Sequence, residues 1–310
     1  MTIYAKRAAV TQKVEVTYGT DVTPAAASDA MLVHNLRIDP LKNAYVPRNP
    51  VLPYYANMGE VVAASWSEIS YEVELAGAGT AGNAAPYAAA LKSCALAQTL
   101  NPGTDAQYAP VSSGASSSSL YYYEDGLLHK ILGMMGNVSF RLSAGGDPMA
   151  AFSFKGLHVA LADAALISPT LTGFGLPVAV NKANTTPFTL HSTAGVFSDL
   201  TIDLGNQMEY TNKPNFEGIR FVGRRSTGKV TLEKELVATA DWRPRLSDAV
   251  LGALAVTHGL TAGNIIKLDA PQVQLTNWTE GEDRGVKVIT MDMHLQPTSA
   301  GNNEFKLTVK

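Results

Sequence analysis

The sequence predicts a mainly β fold with two related halves, and three features support this. Residues 69–75 alternate strictly, so that apolar side chains fall on one face of a strand and polar ones on the other. Helical patterns are few, and the two clearest, residues 86–96 and 244–254, each begin with a proline. The order of the predicted elements also repeats along the chain.

The composition favours a protein that packs against other protein. The chain has 310 residues, of which 46% are hydrophobic and 16% are charged. This length allows one large domain or two of ordinary size, with a well-buried core. Charged residues fall below the ~25% that is usual for soluble domains, and a surface with few charges is typical of an assembling subunit.

The charge balance and the single cysteine argue against several classes of function. The net charge is −3 without a long run of Lys or Arg, so we do not expect tight binding to nucleic acid phosphates. Residues 1–7 lack the apolar core of a secretion signal, and no stretch of about 18 apolar residues could cross a bilayer. Cys94 is the single cysteine, which excludes an internal disulfide and fits a reducing cytoplasm.

Strands are predicted along most of the chain. They cover residues 10–18, 69–75, 119–123, 138–143, 149–155, 188–191, 198–204, 217–222, 229–237, 264–269, 272–277 and 285–295. A short third helix is predicted near residues 126–132. The Ser- and Gly-rich segment 101–119 is expected to be a mobile loop.

The repeat gives each half a strand, a helix, a further strand and a hairpin. The first strands align residues 72–76 with residues 233–237, and the hairpins are predicted to turn at 144–148 and 279–283. The predicted domain organisation is a first domain at 1–160, a linker at 161–174 and a second domain at 175–310.

Two glycine-rich segments resemble nucleotide-binding loops. Gly77–Gly82 reads G-x-G-x-x-G, but the preceding strand carries Glu72 and Glu74, whereas the central strand of a dinucleotide-binding fold is buried on both faces. Residues 223–229 resemble a P-loop, but Val230 replaces the Ser or Thr that would bind Mg²⁺. We therefore expect a flexible loop at the first segment and a hairpin turn at the second.

Patterns for catalysis and metal binding are missing from the sequence. The six histidines are scattered without a His-x-x-x-His pair, and no Gly-x-Ser-x-Gly motif occurs. Cys94 lies in an Ala- and Leu-rich segment, where we expect a small core residue. The sequence therefore predicts no enzyme activity, no cofactor and no metal.

Glu72, Glu74, Glu233 and Glu235 suggest an acidic strand face in both halves. Side chains two residues apart on a strand point the same way. One interpretation is a solvated outer face. The other is a wall facing DNA, because like charge repels phosphate and suppresses adhesion.

Two segments resemble the tail-tube proteins of long-tailed, siphovirus-like bacteriophages. Residues 14–24, Val-Glu-Val-Thr-Tyr-Gly-Thr-Asp-Val-Thr-Pro, look like the first strand and loop of that family. Residues 126–156 resemble the tube-domain hairpin, which closes with Phe-x-Phe-x-Gly, here Phe152–Gly156. In the second half, residues 291–295 read Met-Asp-Met-His-Leu instead.

This resemblance implies a structural virion protein of the tail, assembled in the host cytoplasm without a membrane. Each tube domain would be a small β-sandwich with a flanking α-helix, and its strands would join a β-barrel between subunits. Three two-domain chains would form a pseudo-hexameric ring, and stacked rings would form the conduit for genome delivery. The implied partners are further copies, the tape-measure protein, tail terminator or initiator proteins, and DNA in transient, non-specific passage.

The loop Asp39–Gly59 contains four prolines and three tyrosines. In a tube protein it would serve as an arm onto a neighbouring subunit or ring, since aromatic side chains supply contact area at low entropic cost. The alternative is a flexible surface loop. The candidate contact residues are Tyr45, Pro47, Pro50, Tyr54 and Tyr55.

Three competing functions stay open at this point. The first is a carbohydrate-binding or adhesive β-sandwich module, which requires exposed aromatic platforms and a secretion route. The second is another phage structural protein, such as a minor tail or capsid-surface protein. The third is a nucleotide-dependent enzyme built on the two glycine-rich segments, which predicts saturable binding of NAD or ATP.

Overall fold

The computed structural model describes Tyr4 and residues 7–310 of the chain. The segment on which the prediction about secretion rests, residues 1–7, lies mostly outside this part. Strands account for 54% of the residues and helices for 4%, so the predicted mainly β class is confirmed. Among the described residues, no helix has the length and apolar character needed to cross a membrane.

The described part of the chain contains nineteen strands and two short helices, joined by loops and turns. The strands are β1 (Ala8–Val14), β2 (Ala30–Met31), β3 (His34–Pro47), β4 (Glu60–Glu74), β5 (Leu96–Asn101), β6 (Asp105–Pro110), β7 (Ser118–Glu124), β8 (Leu127–Ser143), β9 (Met149–His158), β10 (Ala162–Asp163), β11 (Thr185–Leu190), β12 (Phe197–Asp203), β13 (Asn206–Lys213), β14 (Phe216–Arg224), β15 (Thr227–Glu233), β16 (Leu251–His258), β17 (Ile266–Asp283), β18 (Val286–Gln296) and β19 (Lys306–Val309). The helices are α1 (Ala88–Ser93) and α2 (Arg243–Ser247).

Eight of these strands form one continuous antiparallel sheet. Their order is β3-β4-β9-β8-β12-β15-β18-β17. One edge of β8 pairs with β9, while β7 and β12 share its other edge. The β8–β12 pairing, which we call the central junction, therefore joins the first half of the chain to the second. The sheet stays open and does not close into a barrel.

The same pairing order occurs twice. A first unit contains β3, β4, β9, β8, β7 and β1 in that order, and a second unit contains β12, β15, β18, β17, β16 and β11. The C-terminal strand β19 adds a second link between the units, because it pairs with β17 and with β6. Whether residues 1–160 and 175–310 fold as separate domains stays a prediction.

Strand pairing also fixes how the two units align. Glu74 ends β4 opposite Met149, and Glu233 ends β15 opposite Val288. Glu74 is therefore the counterpart of Glu233, two residues away from the alignment expected from the sequence. Glu235 lies beyond the end of β15.

The same alignment explains the two different hairpin endings. Tyr71 of β4 pairs with Phe152, and the corresponding position of β15, Val230, pairs with Met291. Phe152 and Phe154 stack with their ring centroids 5.8 Å apart and pack in the core. The methionines of the second unit fill the equivalent space, since Met is flexible and packs readily in irregular cores.

One hydrophobic core runs beneath both units. Phe140 and Ile202 pair across the central junction and are fully buried. Phe140 also stacks on Phe305, with ring centroids 5.1 Å apart, so the C-terminal segment closes the core beneath the junction. The predicted linker is held in place as well, since Leu166 and Ile167 pack against a small cluster on the first unit.

The helix predictions are only partly correct. Both predicted helices are shorter than expected, and residues 251–254 belong to β16 instead. In the segment 126–132, where a third helix was expected, residues 127–132 form the start of β8. In both places β pairing with neighbouring strands outweighs a helix-compatible local sequence. In β16, alternate residues such as Leu254 and Val256 are buried in the core.

The predicted turn at 279–283 and the predicted loop at 101–119 both contain strands instead. Residues 266–269 and 272–277 are parts of the single strand β17, which continues through the expected turn at 279–283. The actual turn is Arg284–Gly285, where both residues have positive φ, 49° and 84°, as a two-residue hairpin turn requires. The supposedly mobile segment 101–119 contains β6, which is fixed by pairing with β5 and β19.

The strands β13 and β14 form a separate hairpin that leaves the sheet after β12. The chain crosses itself at Gly205, where φ is +62° and an added Cβ would lie 2.1 Å from the Arg225 carbonyl oxygen. The expected hairpin turn at 223–229 is wrong, because this segment connects β14 to β15 and these strands do not pair with each other.

One buried and one half-buried histidine make the stability of the fold depend on pH. His258 contacts Thr185 Oγ1 at 2.8 Å and the Val178 carbonyl oxygen at 2.9 Å. Burial lowers the pKa of His258, and burial likewise lowers the pKa of His191. The unfolded chain therefore binds protons more readily below about pH 6.5, so the free energy of unfolding falls as the pH drops through this range.

Replacing His258 with glutamine should make this pH dependence shallower between about pH 6.5 and pH 5. The measurement is urea-induced unfolding at a series of pH values, with the exposed His158→Gln variant as the control. A His258→Gln profile as steep as that of the unmodified chain would contradict the assignment.

Candidate functional site

The two faces of the continuous sheet differ in chemistry. Along β4, Ile69, Tyr71 and Val73 are buried in the core, whereas Glu72 and Glu74 point the other way. Residues paired across antiparallel strands share a face. The registers therefore extend this outward face across β9, β8, β12, β15 and β18, and we call it the polar face.

Short polar side chains and carboxylates dominate the polar face. Its members are Trp66, Glu68, Ser70, Glu72, Glu74, Met149, Ala151, Ser153, Lys155, Leu157, Met135, Asn137, Ser139, Arg141, Ser143, Asp199, Thr201, Asp203, Thr227, Lys229, Thr231, Glu233, Val288, Thr290, Asp292 and His294. Seven carboxylates against three cations give it a charge of −4, compared with −3 for the whole chain. The acidic excess of the protein is therefore concentrated here.

Polar contacts on this face tie the two units together across the central junction. Asn137 Nδ2 donates to Asp203 Oδ1 at 2.6 Å, and Ser143 Oγ donates to Asp199 Oδ1. The Arg141 guanidinium Nε lies 3.9 Å from the same Asp199 oxygen. The junction thus carries the base on β8 and the acids on β12.

Three of the four acids expected to form an acidic face lie on the polar face. Glu72 accepts a hydrogen bond from Asn35 Nδ2 at 2.7 Å, and Glu74 lies two residues further along the same strand. Glu233 is exposed at the end of β15. Glu235 lies outside the sheet. Their role in lining a lumen stays a prediction.

Four further acids of the polar face were missed from the sequence, and one of them, Glu68, lies on β4. Asp199, Asp203 and Asp292 lie on it through the pairings of β12, β15 and β18. Alternation within predicted strands 198–204 and 285–295 is a usable signal for their orientation. The neighbours of those strands, which decide whether the acids share one surface, depend on long-range pairing.

The Pro- and Tyr-rich segment forms the outer part of the long β3–β4 hairpin. We call residues 41–62 the arm. All five candidate contact residues are exposed, namely Tyr45, Pro47, Pro50, Tyr54 and Tyr55. The ring of Tyr55 does not pack against its own chain, since its relative accessibility is 109%. A cluster of exposed aromatic and apolar side chains is typical of a protein contact site.

The second unit has a hairpin at the equivalent position, between β12 and β15, and this one is packed. Tyr210 of β13 stacks on Trp66 with ring centroids 5.3 Å apart. Met208 and Ile219 form a small cluster with Met135 of β8. The β13–β14 hairpin is therefore bound to the first unit, while the arm extends freely.

The glycine-rich segment after β4 is a packed loop with a structural role. An added Cβ at Gly77 would lie 2.0 Å from the Gly263 carbonyl oxygen, and Gly77 N donates to Asn264 Oδ1 at 2.8 Å. The segment is thus held against the second unit, which differs from the flexible loop expected. Helix α1 begins only at Ala88 and has six residues.

Groups suited to catalysis are not gathered in the described part of the chain. Cys94 is fully buried, and burial raises the pKa of its thiol well above the usual value, which disfavours the reactive thiolate. No group of three or more His, Cys, Asp or Glu residues suited to holding a metal occurs among the described residues.

Two strand edges of the continuous sheet have no partner among the described residues. β3 pairs only with β4, and residues 275–283 of β17 pair only with β18. We call residues 275–283 the β17 tail. Unpaired edges offer N–H and C=O groups to another strand. They lie at the opposite ends of the eight-strand order.

Residues 5–286 match the protein family described as phage tail tube protein. The chain belongs to the phage tail tube protein family. This confirms the resemblance and makes the protein a structural component of the virion tail, which points away from an enzyme. Tail tube proteins associate with copies of themselves and with other tail components. No curated protein matches the chain significantly.

The two hairpins of this tail tube protein offer a matched comparison of free and packed tyrosines. Replacing Tyr54 and Tyr55 together with serine should change the free energy of unfolding by less than about 0.5 kcal/mol, because both are exposed. Tyr210→Ser should lower it by about 1–2 kcal/mol through loss of the Trp66 stack. Urea unfolding measures both. A larger loss in the arm variant than in Tyr210→Ser would show that the arm packs on its own chain.

Proposed function

We propose that three copies of this tail tube protein close into a ring, that rings stack into the tail tube, and that the polar face lines its lumen. The observation that carries this proposal is the central junction. There, one chain already joins a four-strand set to an equivalent four-strand set through backbone pairing. A subunit built in this way can repeat the same joint with its neighbours and leave no edge unpaired.

The size of the ring fits a conduit. Eight strands from each of three copies would place 24 strands around the axis. At about 4.8 Å per strand the backbone circle would be about 37 Å across, and strand tilt widens it further. Barrels of about 16 strands already enclose an aqueous channel.

The chemistry of the polar face suits a wall that DNA passes without adhering. Its excess of carboxylates repels phosphate, and its Ser, Thr and Ala residues keep the bore wide. We assign Glu72, Glu74 and Glu233 to the lumen, together with Asp199, Asp203 and Asp292. Glu235 lies off this face and has no part in the assignment.

The arm supplies a further contact between subunits or rings in this proposal. Tyr45, Pro47, Pro50, Tyr54 and Tyr55 have exposed side chains, and aromatic anchors of this kind are enriched where proteins meet. The tape-measure protein inside the tube, and terminator or initiator proteins at its ends, complete the proposed set of partners. Genome delivery into the host is the proposed outcome.

Negative-stain electron microscopy over a concentration series, with mass photometry of the same samples, tests the assembly. Rings with the mass of three chains, or hollow tubes, are expected. Deleting the arm tip, residues 48–58, should leave the fold intact and weaken stacking or ring formation. A protein that stays monomeric at every concentration, both alone and with a tail initiator complex, would contradict the proposal.

Reversing the charge of the polar face tests the lumen assignment. Tubes carrying Glu72→Lys, Glu74→Lys and Glu233→Lys should retain short duplex DNA inside them, where nuclease cannot reach it, and should release it as the salt concentration rises. Nuclease protection of labelled DNA is the measurement.

The matched control places three lysines elsewhere, with Asp163→Lys, Glu235→Lys and Asp248→Lys at positions off the polar face. This variant has the same net charge and should protect no DNA. Equal protection by the two variants would rule out the polar face as the lining of the lumen.

A further inference from the structure

We propose that β3 of one copy pairs antiparallel with the β17 tail of the next copy, in the register of the central junction. This pairing sets Arg37 opposite Gly281, Ile38 opposite Glu280 and Asp39 opposite Thr279. The inference rests on the proposed ring, and it names the strands, register and charges that join one subunit to the next.

Strand β3 of the first unit is equivalent to β12 of the second. Regular pairing of β3 with β4 is interrupted after Asp39–Glu68, and the pairing of β12 with β15 ends at Asp203–Thr227. Asp39 is therefore the counterpart of Asp203. Counting back along the strands makes Arg37 the counterpart of Thr201.

Strand β8 of the first unit is equivalent to β17 of the second. Arg141 of β8 pairs with Met149, and Gly281 of β17 pairs with Val288. Met149 and Val288 are counterparts, because they face the strand-ending residues of β4 and β15. Gly281 therefore occupies the place of Arg141.

These equivalences give the central junction a counterpart between two copies. At the central junction, Thr201 pairs with Arg141. Replacing each residue by its counterpart gives Arg37 opposite Gly281 in a joint between two copies. Both strands have an unpaired edge at these positions in the described chain. The joint is head-to-tail, so that each copy offers one edge to each of two neighbours and closure is possible.

Charge supports this partner choice. At the central junction, Arg141 of β8 lies diagonally across from Asp199 of β12. In the proposed joint the base is on the other strand, because Arg37 of β3 lies diagonally across from Asp283 of the β17 tail. Because Gly281 has no side chain, there is room on the polar face for the Arg37 side chain. Diagonal neighbours on one face are within reach of long side chains.

This exchange of acid and base between the two joints also disfavours two incorrect pairings, β3 with β8 and β12 with the β17 tail. If β3 of one copy met β8 of another, Arg37 would lie directly opposite Arg141. If β12 met the β17 tail, Asp199 would lie directly opposite Asp283. Like charges directly opposite each other destabilise a strand pair, so the two joints are distinguished by repulsion as well as by attraction.

A disulfide across the proposed joint tests the register. Asp39→Cys and Thr279→Cys lie directly opposite each other, at a Cα separation that a disulfide spans. Cys94 does not compete because it is fully buried. Oxidised tubes of the double variant, denatured and run on a non-reducing gel, should give covalent species of up to three copies, and each single variant only monomers.

A shifted pair controls for chance encounters. Asp39→Cys with Asp283→Cys places the sulfurs about 13 Å apart in the proposed register, so little crosslinking is expected. Equal crosslinking by both pairs, or tubes whose in-register pair stays monomeric, would overturn the joint and leave the tube function standing. Failure of the unmodified chain to form rings or tubes would instead count against the proposed function.

A charge exchange gives an independent measurement that needs no cysteine. Arg37→Asp should weaken association between copies by about fivefold, since it turns an attraction into a repulsion across the joint. Asp283→Arg should do the same, and the two together should restore most of the loss. Additive losses in the double variant would overturn the pairing of these two residues.

Discussion

Backbone pairing between β8 and β12 is the interaction on which the rest of the structure depends. It makes one sheet of two units, and it lets a single core continue beneath them through Phe140 and Ile202. It also fixes the orientation of each unit, since antiparallel pairing leaves only one face of each strand for the core. The acidic and small polar residues of both units then fall on one common surface, which neither unit could form alone.

The polar face satisfies much of its own hydrogen bonding. Asn137 with Asp203 and Ser143 with Asp199 bond across the junction, and Thr231 Oγ1 lies 3.0 Å from Thr290 Oγ1 between β15 and β18. Side chains engaged with each other present fewer free donors to a passing phosphate. The carboxylates add repulsion on top of this, so both features act against adhesion.

How much could be predicted from the sequence depended on the range of the interactions. Strict alternation at 69–75 revealed β4 and its inward face, because that pattern is local. The helix expected at 244–254 was largely wrong, since pairing of β16 with β11 and β17 decides its conformation. The polar face was predicted only at Glu72, Glu74 and Glu233. Its remaining acids become neighbours only through strand order, which a single sequence does not encode locally.

The central claim is that the continuous sheet of one chain extends into the next, with the polar face inward. A cryo-EM reconstruction of assembled tubes at a resolution that separates strands tests this most directly. We expect an uninterrupted inner barrel of 24 strands with threefold symmetry, in which β3 adjoins the β17 tail of the neighbouring copy. An inner wall broken at the subunit boundary, or one with Glu72 and Asp199 on the outside, would contradict it.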